Sequence, residues 1–194
     1  MKVYLSAALN CLLFVPTSAI AQQTVELPVT ADACAIHLAL TGEVASHCSP
    51  PSQSLGAVRR LPPAGFPQHA APLETEERGY FIRFPFNSSN LTPEYRGHLS
   101  RLAKVASAPK MAQACIKLVG HTDSVGGPIF NKTLSSKRAR MVAAFLAAEG
   151  GIPMERIITE ARGEKQPLPK LPGPHPLNRR VEIMARHRDG KTCH

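Results

Sequence analysis

One stretch of the chain has charged, polar and glycine residues at short, regular intervals: GHTDSVGGPIFNKTLSSKRA, residues 120–139. It follows Ala114 to Val119, where apolar side chains alternate with others as they do in a strand. A glycine-containing loop comes next, at residues 126–128, and a helix is expected to begin around Thr133 or Leu134. The stretch therefore predicts a strand, a loop and a helix in direct succession, and the rest of the chain is interpreted around that unit.

Two oppositely charged side chains of this stretch, Asp123 and Arg138, are the first candidates for a binding site. Asp123 lies on the expected loop, and Arg138 follows 15 positions later (138 − 123) on the helix. Asn131, Ser135 and Arg138 share one helical face if the helix reaches back to Asn131. A carboxylate that faces a guanidinium across a hollow can bind a zwitterion by its ammonium and carboxylate groups. The alternative is a structural salt bridge between the two side chains, because such ion pairs are common.

The spacing of these residues resembles the signature of the OmpA-like C-terminal domain, G-H-T-D-x-x-G-x-x-x-x-N-x-x-L-S-x-x-R-A. That domain is the peptidoglycan-binding module of outer-membrane proteins, peptidoglycan-associated lipoproteins and flagellar stator proteins. The chain meets the pattern without a gap at Gly120, His121, Thr122, Asp123, Gly126, Asn131, Leu134, Ser135, Arg138 and Ala139. The resemblance covers about residues 80–187 and includes FPFNSSNL at 84–91, the G-E-x-x-P turn at 163–167 and NRRVE at 178–182.

The resemblance implies a site that holds the diaminopimelate side chain of the peptidoglycan stem peptide. The implied ligand-binding residues, from the strongest candidate to the weakest, are Asp123, Arg138, Thr122, Asn131, Asn178 and Arg179. Asn131 is expected to brace the loop more than to touch the ligand, and His121 to support the loop. Since burying a charge pair without its ligand is costly, an open groove filled with water is expected.

The hydrophobic pattern after residue 75 gives the element order βαβαββ. Strands are expected at Tyr80–Phe86, Ala114–Val119, Ile157–Ala161 and Arg180–Ala185. Thr92 and Pro93 have the residue types of an N-cap and first turn for the first helix, and Gly150 and Gly151 end the second. This order predicts an α+β two-layer sandwich in which helices cover one face of a mixed four-stranded sheet. The OmpA-like family has the same architecture.

The chain divides into an expected signal peptide at 1–21, a small N-terminal segment at 22–48, a proline-rich linker at 49–74 and the OmpA-like domain at 75–194. Lys2, an apolar stretch and the A-x-A sequence at 19–21 are typical of a cleaved signal peptide. The competing interpretation is a retained membrane anchor, which the polar and proline residues in the stretch disfavour. No transmembrane segment is expected after cleavage. The small segment either docks onto the main domain or binds a partner.

Charge and cysteine content agree with an exported protein. The formal net charge is +9, or +8 (9 − 1) without Lys2, which favours an anionic environment. Nucleic acid is not an expected partner, because three Tyr, seven Phe and no Trp leave little for base stacking. Outside the signal peptide the cysteines are Cys34, Cys48, Cys115 and Cys193, an even number that suits an oxidising compartment and allows three pairings. A Cys34–Cys48 disulfide would close a short loop, and the family's sheet order implies a Cys115–Cys193 disulfide; four free thiols are the alternative.

Catalysis and metal binding are not expected. A catalytic triad of His121, Asp123 and Ser135 is not expected, because the serine lacks a nucleophile elbow. A glycosidase-like carboxylate pair is not expected either, because no second acid is placed beside Asp123. The histidines show no H-x-x-x-H spacing and the cysteines no C-x-x-C spacing. No cofactor is expected either.

The resulting hypothesis is a non-catalytic protein of the bacterial cell envelope that binds peptidoglycan and thereby anchors itself or its complex to the cell wall. It is expected in the periplasm, with association to the outer membrane or the wall left open. The alternative is an interaction or scaffold subunit of an envelope assembly for secretion or motility, in which wall binding is secondary or lost.

Overall fold

The computed structural model describes residues 24–48, residues 78–186 and Cys193. The expected signal peptide at 1–21 and linker at 49–74 lie outside the described residues. Within the described ranges, no helix combines the length and the apolar character needed to cross a lipid bilayer.

The described residues form five strands and three α-helices. Their bounds are β1 Val25–Glu26, α1 Ala33–Thr41, β2 Arg78–Arg83, α2 Pro93–Ser107, β3 Cys115–His121, α3 Pro128–Ala148, β4 Ile157–Gly163 and β5 Arg180–Arg186. Two 3₁₀ turns, Met154–Arg156 and Pro176–Asn178, precede β4 and β5. From β2 onward the order is βαβαββ, as the sequence predicts.

The strands form one mixed sheet in the order β1-β2-β5-β3-β4. β5 is antiparallel to both of its neighbours, β2 and β3, whereas β4 is parallel to β3 and β1 is parallel to β2. The prediction of four strands is wrong in one respect, since β1 from the N-terminal segment adds a fifth strand beside β2. A two-residue strand has too little sequence pattern to be placed in a sheet; its position depends on its pairing with Tyr80 and Phe81.

The core lies between the helices and one face of the sheet. Strand residues whose side chains point to that face alternate along β2, β3 and β5, and they include Tyr80, Ile82, Ile116, Leu118, Val181 and Ile183. They pack with the buried stripes of the helices, among them Leu99, Leu102, Val142 and Leu146. The helices therefore cover one face of the sheet, as expected for an α+β sandwich.

The N-terminal segment docks onto this core. Ile36 and Leu40 of α1 are buried in the same apolar cluster as the strands. Arg101 of α2 donates hydrogen bonds to the backbone carbonyls of Val29 and Ala31. The segment is thus part of the folded unit, which favours the docking interpretation of residues 22–48.

A buried polar pair lies close to this docked segment. The hydroxyl of Tyr80 and Nε2 of His98 are 2.9 Å apart, and both side chains are fully buried. Burial lowers the pKa of His98 to about 4, and the nearby charge of Arg101 acts in the same direction. His98 is therefore neutral at pH 7.

The described chain contains two disulfides, and both are among the pairings that the sequence predicts. The Cys34–Cys48 disulfide closes a loop that contains most of α1. Cys115–Cys193 joins the first residue of β3 to the C-terminal tail over a separation of 78 residues.

Candidate ligand-binding site

The helix that carries Arg138 begins earlier than the sequence analysis predicts. α3 starts at Pro128, with Gly127 as its N-cap, whereas a start around Thr133 or Leu134 was expected. Proline fits the first helical position because the missing N–H has no partner there in any case. The added first turn carries Asn131 onto the same buried face as Ser135 and Arg138, which confirms the predicted i, i+4, i+7 arrangement.

Gly120 allows the strand and the helix of the signature to touch. A Cβ atom at this position would lie 2.0 Å from the carbonyl oxygen of Ser135, so a side chain larger than hydrogen does not fit. Asp123 lies three residues beyond Gly120 and Arg138 three residues beyond Ser135 (123 − 120 and 138 − 135). The close contact therefore brings the loop with Asp123 next to the helix turn with Arg138.

Other signature residues brace the loops around the site. The hydroxyl of Ser135 accepts a hydrogen bond from the backbone N–H of Gly163, and Asn131 Nδ2 donates to Glu164. Gly163 has a φ of +61°, a left-handed conformation that glycine adopts without strain. The G-E-x-x-P turn is thus held by side chains of α3, whereas the bracing role predicted for Asn131 concerned the loop that carries Asp123.

Arg138 is fully buried and is oriented by backbone carbonyls. Its Nη1 donates to His121 (2.9 Å), its Nε to Ser88 (2.8 Å) and its Nη2 to Pro85 (3.1 Å). Burial lowers the pKa of Arg138 to about 10, while the carboxylate of Asp123 opposes this shift. The guanidinium is therefore protonated at neutral pH and fixed in position.

Asp123 forms an ion pair with Arg179, with 3.0 Å between Oδ2 and Nη1. Its Oδ1 also accepts a hydrogen bond from the backbone N–H of Val125. In the described part of the chain, the ion-pair partner of Asp123 is thus Arg179 and not Arg138. The alternative prediction, a structural salt bridge between Asp123 and Arg138, is therefore not met among the described residues, where Asp123 pairs with Arg179.

Asp123, Asn131, Arg138 and Arg179 line one cavity of about 160 Å³. The two charged side chains are less accessible to solvent than in the predicted open groove filled with water, since Asp123 is 4% exposed and Arg138 0%. The physical reason is that internal partners replace water: Arg179 neutralises Asp123, and backbone carbonyls solvate Arg138.

Thr122 and Asn178, two further predicted site residues, do not line this cavity in the described structure. Thr122 is buried, and its hydroxyl has no hydrogen-bond partner among the described residues. The side-chain amide of Asn178 accepts from the backbone N–H of Leu168 and donates to the carbonyls of Pro172 and Gly173. Asn178 therefore holds the proline-rich loop at residues 166–177 in place, and its side-chain donors and acceptor are used within that loop.

The rim of the cavity is apolar, which the sequence analysis did not anticipate. The lining includes Phe86, Val125, Phe130 and Leu134, and the first three are exposed. Phe130 was missed because the helix was predicted to begin after it. The sequence does contain a signal for an apolar rim. It is the apolar pair Ile129-Phe130, which lies at the start of a helix whose other side is buried.

The charges that line the cavity sum to +1, from one carboxylate and two guanidinium groups. These belong to Asp123, Arg138 and Arg179. A ligand that brings one ammonium group and at least one carboxylate complements this arrangement, and an apolar portion of the ligand complements the rim.

The part of the chain that contains the site is similar to proteins of one family. Residues 83–175 match the model of the OmpA family. Outer membrane protein A of Bordetella avium is 40% identical over 102 residues, which cover 52% of this chain and 51% of that protein. Outer membrane protein A of Shimwellia blattae is 32% identical over 87 residues, which cover 45% of this chain and 36% of that protein.

A solved structure shows the same fold. The OmpA-like domain of FopA1 from Francisella tularensis aligns with a TM-score of 0.50 at 20% identity, over 66% of this chain and 92% of that domain. The chain spans about half the length of the Bordetella relative and a little over a third of the Shimwellia relative, so the similarity concerns one domain of those proteins. The signature at residues 120–139, the fold and the family match agree, and residues 83–175 are a domain of the OmpA family.

Proposed function

We propose that this protein binds peptidoglycan without catalysis, by holding the diaminopimelate of the stem peptide in the cavity lined by Asp123, Arg138 and Arg179. Such binding would anchor the protein, or a complex that contains it, to the wall in the periplasm of a bacterial envelope. The observation that carries the proposal is the convergence of one carboxylate and two guanidinium groups on a single small cavity.

The free end of diaminopimelate carries an ammonium and a carboxylate group on one carbon. An ionised carboxylate can accept several hydrogen bonds, so Asp123 can receive the ammonium while it keeps Arg179 and the N–H of Val125. The ligand carboxylate would then take the remaining N–H donors of Arg138 and Arg179. Charge-assisted hydrogen bonds of this kind are stronger than hydrogen bonds between neutral groups.

The apolar rim suits the remainder of this ligand. Three methylene groups separate the two amino-acid ends of diaminopimelate, and Phe86, Val125 and Phe130 offer an apolar surface at the cavity mouth. Since Arg138 is fully buried, a ligand must displace rim side chains to reach it. Phe86 and Phe130 are 60% and 50% exposed and therefore have room to move.

Binding without catalysis is proposed because the cavity offers too few acidic groups. Among its described lining residues Asp123 supplies the one carboxylate, whereas glycoside hydrolysis ordinarily uses a pair of them.

The test is a sedimentation assay of the purified protein with insoluble peptidoglycan, for the wild type and Asp123→Asn. Asparagine keeps the shape and can still accept from Val125, but it removes the charge that attracts an ammonium group. We expect wild type to sediment and the variant to bind at least about tenfold more weakly. Asp123 is preferred to Arg138 for this test, because the loss of three backbone hydrogen bonds would also disturb the fold.

Glu160→Gln is the matched control, since it removes one carboxylate from β4 that pairs with Lys117 and Arg162 outside the cavity. It should sediment like wild type. If all three proteins sediment alike and 0.5 M salt releases them, the net positive charge alone explains retention. If none sediments, peptidoglycan binding is the wrong function for this domain.

A further inference from the structure

A second cavity of about 210 Å³ lies next to the first. Its walls include Arg83 at the end of β2, the following residues Phe84 and Pro85, Tyr95 of α2, and Pro176 near the end of the proline-rich loop at 166–177. Arg179 also lines it, as it lines the first cavity. The guanidinium of one side chain is thus shared by two neighbouring cavities.

The two cavities are neighbours, because they share Arg179 and their other lining residues include adjacent positions of the chain. Residues 83–85 line the second cavity, and Phe86 and Asn87 line the first. Arg179 is fixed at the boundary, because its Nη1 bonds Asp123 in the first cavity and its Nε donates to the carbonyl of Phe84 in the second. A ligand longer than one amino acid can therefore occupy both.

The second cavity is positively charged. Its ionisable lining residues in the described structure are Arg83, Arg179 and Tyr95, without a carboxylate. Glu26 of β1 lies outside the lining and pairs with Arg83, at 2.6 Å between Oε1 and Nε. Tyr95 also forms a side-chain hydrogen bond with Arg83. The Arg83 side chain is half exposed, so the donors that Glu26 and Tyr95 leave are accessible to a second anion.

We propose that this second cavity binds a carboxylate of the residue adjoining diaminopimelate in the same stem peptide, with Arg83 as its principal donor. The inference rests on the proposed function, which places diaminopimelate in the first cavity. Two carboxylates have the right chemistry: the free α-carboxylate of the preceding γ-linked D-glutamate and the terminal carboxylate of the following D-alanine. The walls of Tyr95 and Pro176 suit the apolar atoms between these charges.

The test is calorimetric titration of the purified protein with free meso-diaminopimelate and with the tetrapeptide L-alanyl-γ-D-glutamyl-meso-diaminopimelyl-D-alanine. Two further ligands are the tetrapeptide amidated at the glutamate and the tetrapeptide amidated at its C-terminus. We expect one of the two amidations to weaken binding about tenfold, the size of one charge-assisted interaction. The amidation that does so identifies the carboxylate.

Arg83→Gln should weaken binding of the unmodified tetrapeptide by the same factor and leave free diaminopimelate unchanged. In Arg83→Gln, the amidation that weakens binding to wild type should reduce the affinity little further. The guanidinium that binds this carboxylate is already absent from the variant. Arg162→Gln is the matched control, since Arg162 is a half-exposed strand arginine paired with Glu160 away from both cavities. It should bind every ligand like wild type.

Glu26→Gln separates ligand binding from a structural role of the Glu26–Arg83 bridge. It breaks the bridge but keeps the guanidinium, so tetrapeptide binding should be equal to or tighter than that of wild type. A tenfold loss in Glu26→Gln would instead show that Arg83 acts by holding β1, and would overturn the inference.

Two other outcomes are decisive. If free diaminopimelate binds but neither amidation nor Arg83→Gln affects the tetrapeptide, the second cavity is not a subsite and the proposed function stands. If neither diaminopimelate nor the tetrapeptide binds, the proposed function fails and the inference fails with it. The amidated ligands test the unaltered protein, so the conclusion does not depend on the stability of any variant.

Discussion

Arg138 and Arg156 show how this domain buries a guanidinium group. Each donates hydrogen bonds to three backbone carbonyls, Arg138 around the cavity and Arg156 in the connection between α2 and β3. Carbonyl dipoles satisfy the N–H groups without cancelling the positive charge. At Arg138 this leaves a net charge beside the cavity for a ligand carboxylate, which a direct ion pair with Asp123 would have neutralised.

The lowered pKa of His98 predicts how the free energy of unfolding depends on pH. The folded protein holds its pKa at about 4, below the ordinary value of 6.5, because the ring is buried beside Tyr80 and near Arg101. Between these two pH values the unfolded chain binds a proton that the folded chain does not. The stabilising contribution is therefore complete above about pH 6.5 and is lost as the pH falls towards 4.

The measurement is the free energy of unfolding by urea at several pH values between 7 and 4, for wild type and His98→Gln. The variant should be less stable at pH 7 by about 1–3 kcal/mol, because the amide side chain fills the buried site of the imidazole ring less completely. It should also lose less stability on acidification than wild type. Equal pH slopes for both proteins would contradict this assignment.

At the scale of single residues, the sequence identified the charged pair but not its connections. Asp123 and Arg138 were recognisable because they belong to a fixed local spacing. The ion pair of Asp123 with Arg179 joins residues 56 positions apart (179 − 123), and no local pattern specifies such a contact. The bonds of the Asn178 side chain with the proline-rich loop likewise have no local pattern that would predict them.

At the scale of elements, the contact between β3 and α3 positions the site, and it depends on Gly120. Alanine at this position would place a Cβ atom 2.0 Å from the carbonyl oxygen of Ser135, against backbone that cannot move aside without displacing the helix. We expect Gly120→Ala to destabilise the protein by roughly 3 kcal/mol or more, at the upper end for overpacking. Wall binding should fall in the molecules that still fold.

Gly97→Ala in α2 is the control, because its Cβ would meet an ordinary contact 3.8 Å away on the Arg101 side chain. In a helix interior this change should stabilise the protein by about 0.5–1 kcal/mol. Thermal unfolding of both variants distinguishes the two effects. Similar melting temperatures would show that the strand and the helix are not held together as closely as the structure indicates.

The elements differ in how far their sequences specify them. α2 follows from its capping threonine, its proline and a clear apolar stripe, all of which the structure contains. The start of α3 was predicted too late because Gly127 and Pro128 are equally typical of a loop, and the contact with β3 decides between the two. β1 has two residues, so its place in the sheet is set by β2 and not by its own pattern.

At the scale of the whole molecule, the two disulfides should contribute unequally to stability. In the loop-closure model the stabilisation grows with the length of chain that a disulfide closes. Cys115–Cys193 spans 78 residues and Cys34–Cys48 spans 14. We expect the double variant Cys115→Ala/Cys193→Ala to lose about 1.5 kcal/mol more than Cys34→Ala/Cys48→Ala, with the larger loss about 2–5 kcal/mol.

Urea midpoints of the two double variants, measured beside wild type with and without a reductant, provide the comparison. Reduction of wild type should destabilise it more than either pair of substitutions alone. If the short loop contributed as much as the long one, packing around Cys34 and Cys48 would outweigh chain entropy.

The Cys34–Cys48 disulfide also determines how the molecule carries a mechanical load. With the wall held at the cavity and tension applied at the N-terminal end of the described chain, the pull first reaches β1. β1 is joined to β2 by two residue pairs, the shortest strand pairing in the sheet. Beyond Cys34 the tension crosses the covalent bridge to Cys48, so residues 35–47 detach as a closed loop and cannot be drawn out. We expect the N-terminal segment to peel away under force without any extension from residues 35–47, while the OmpA domain keeps its hold.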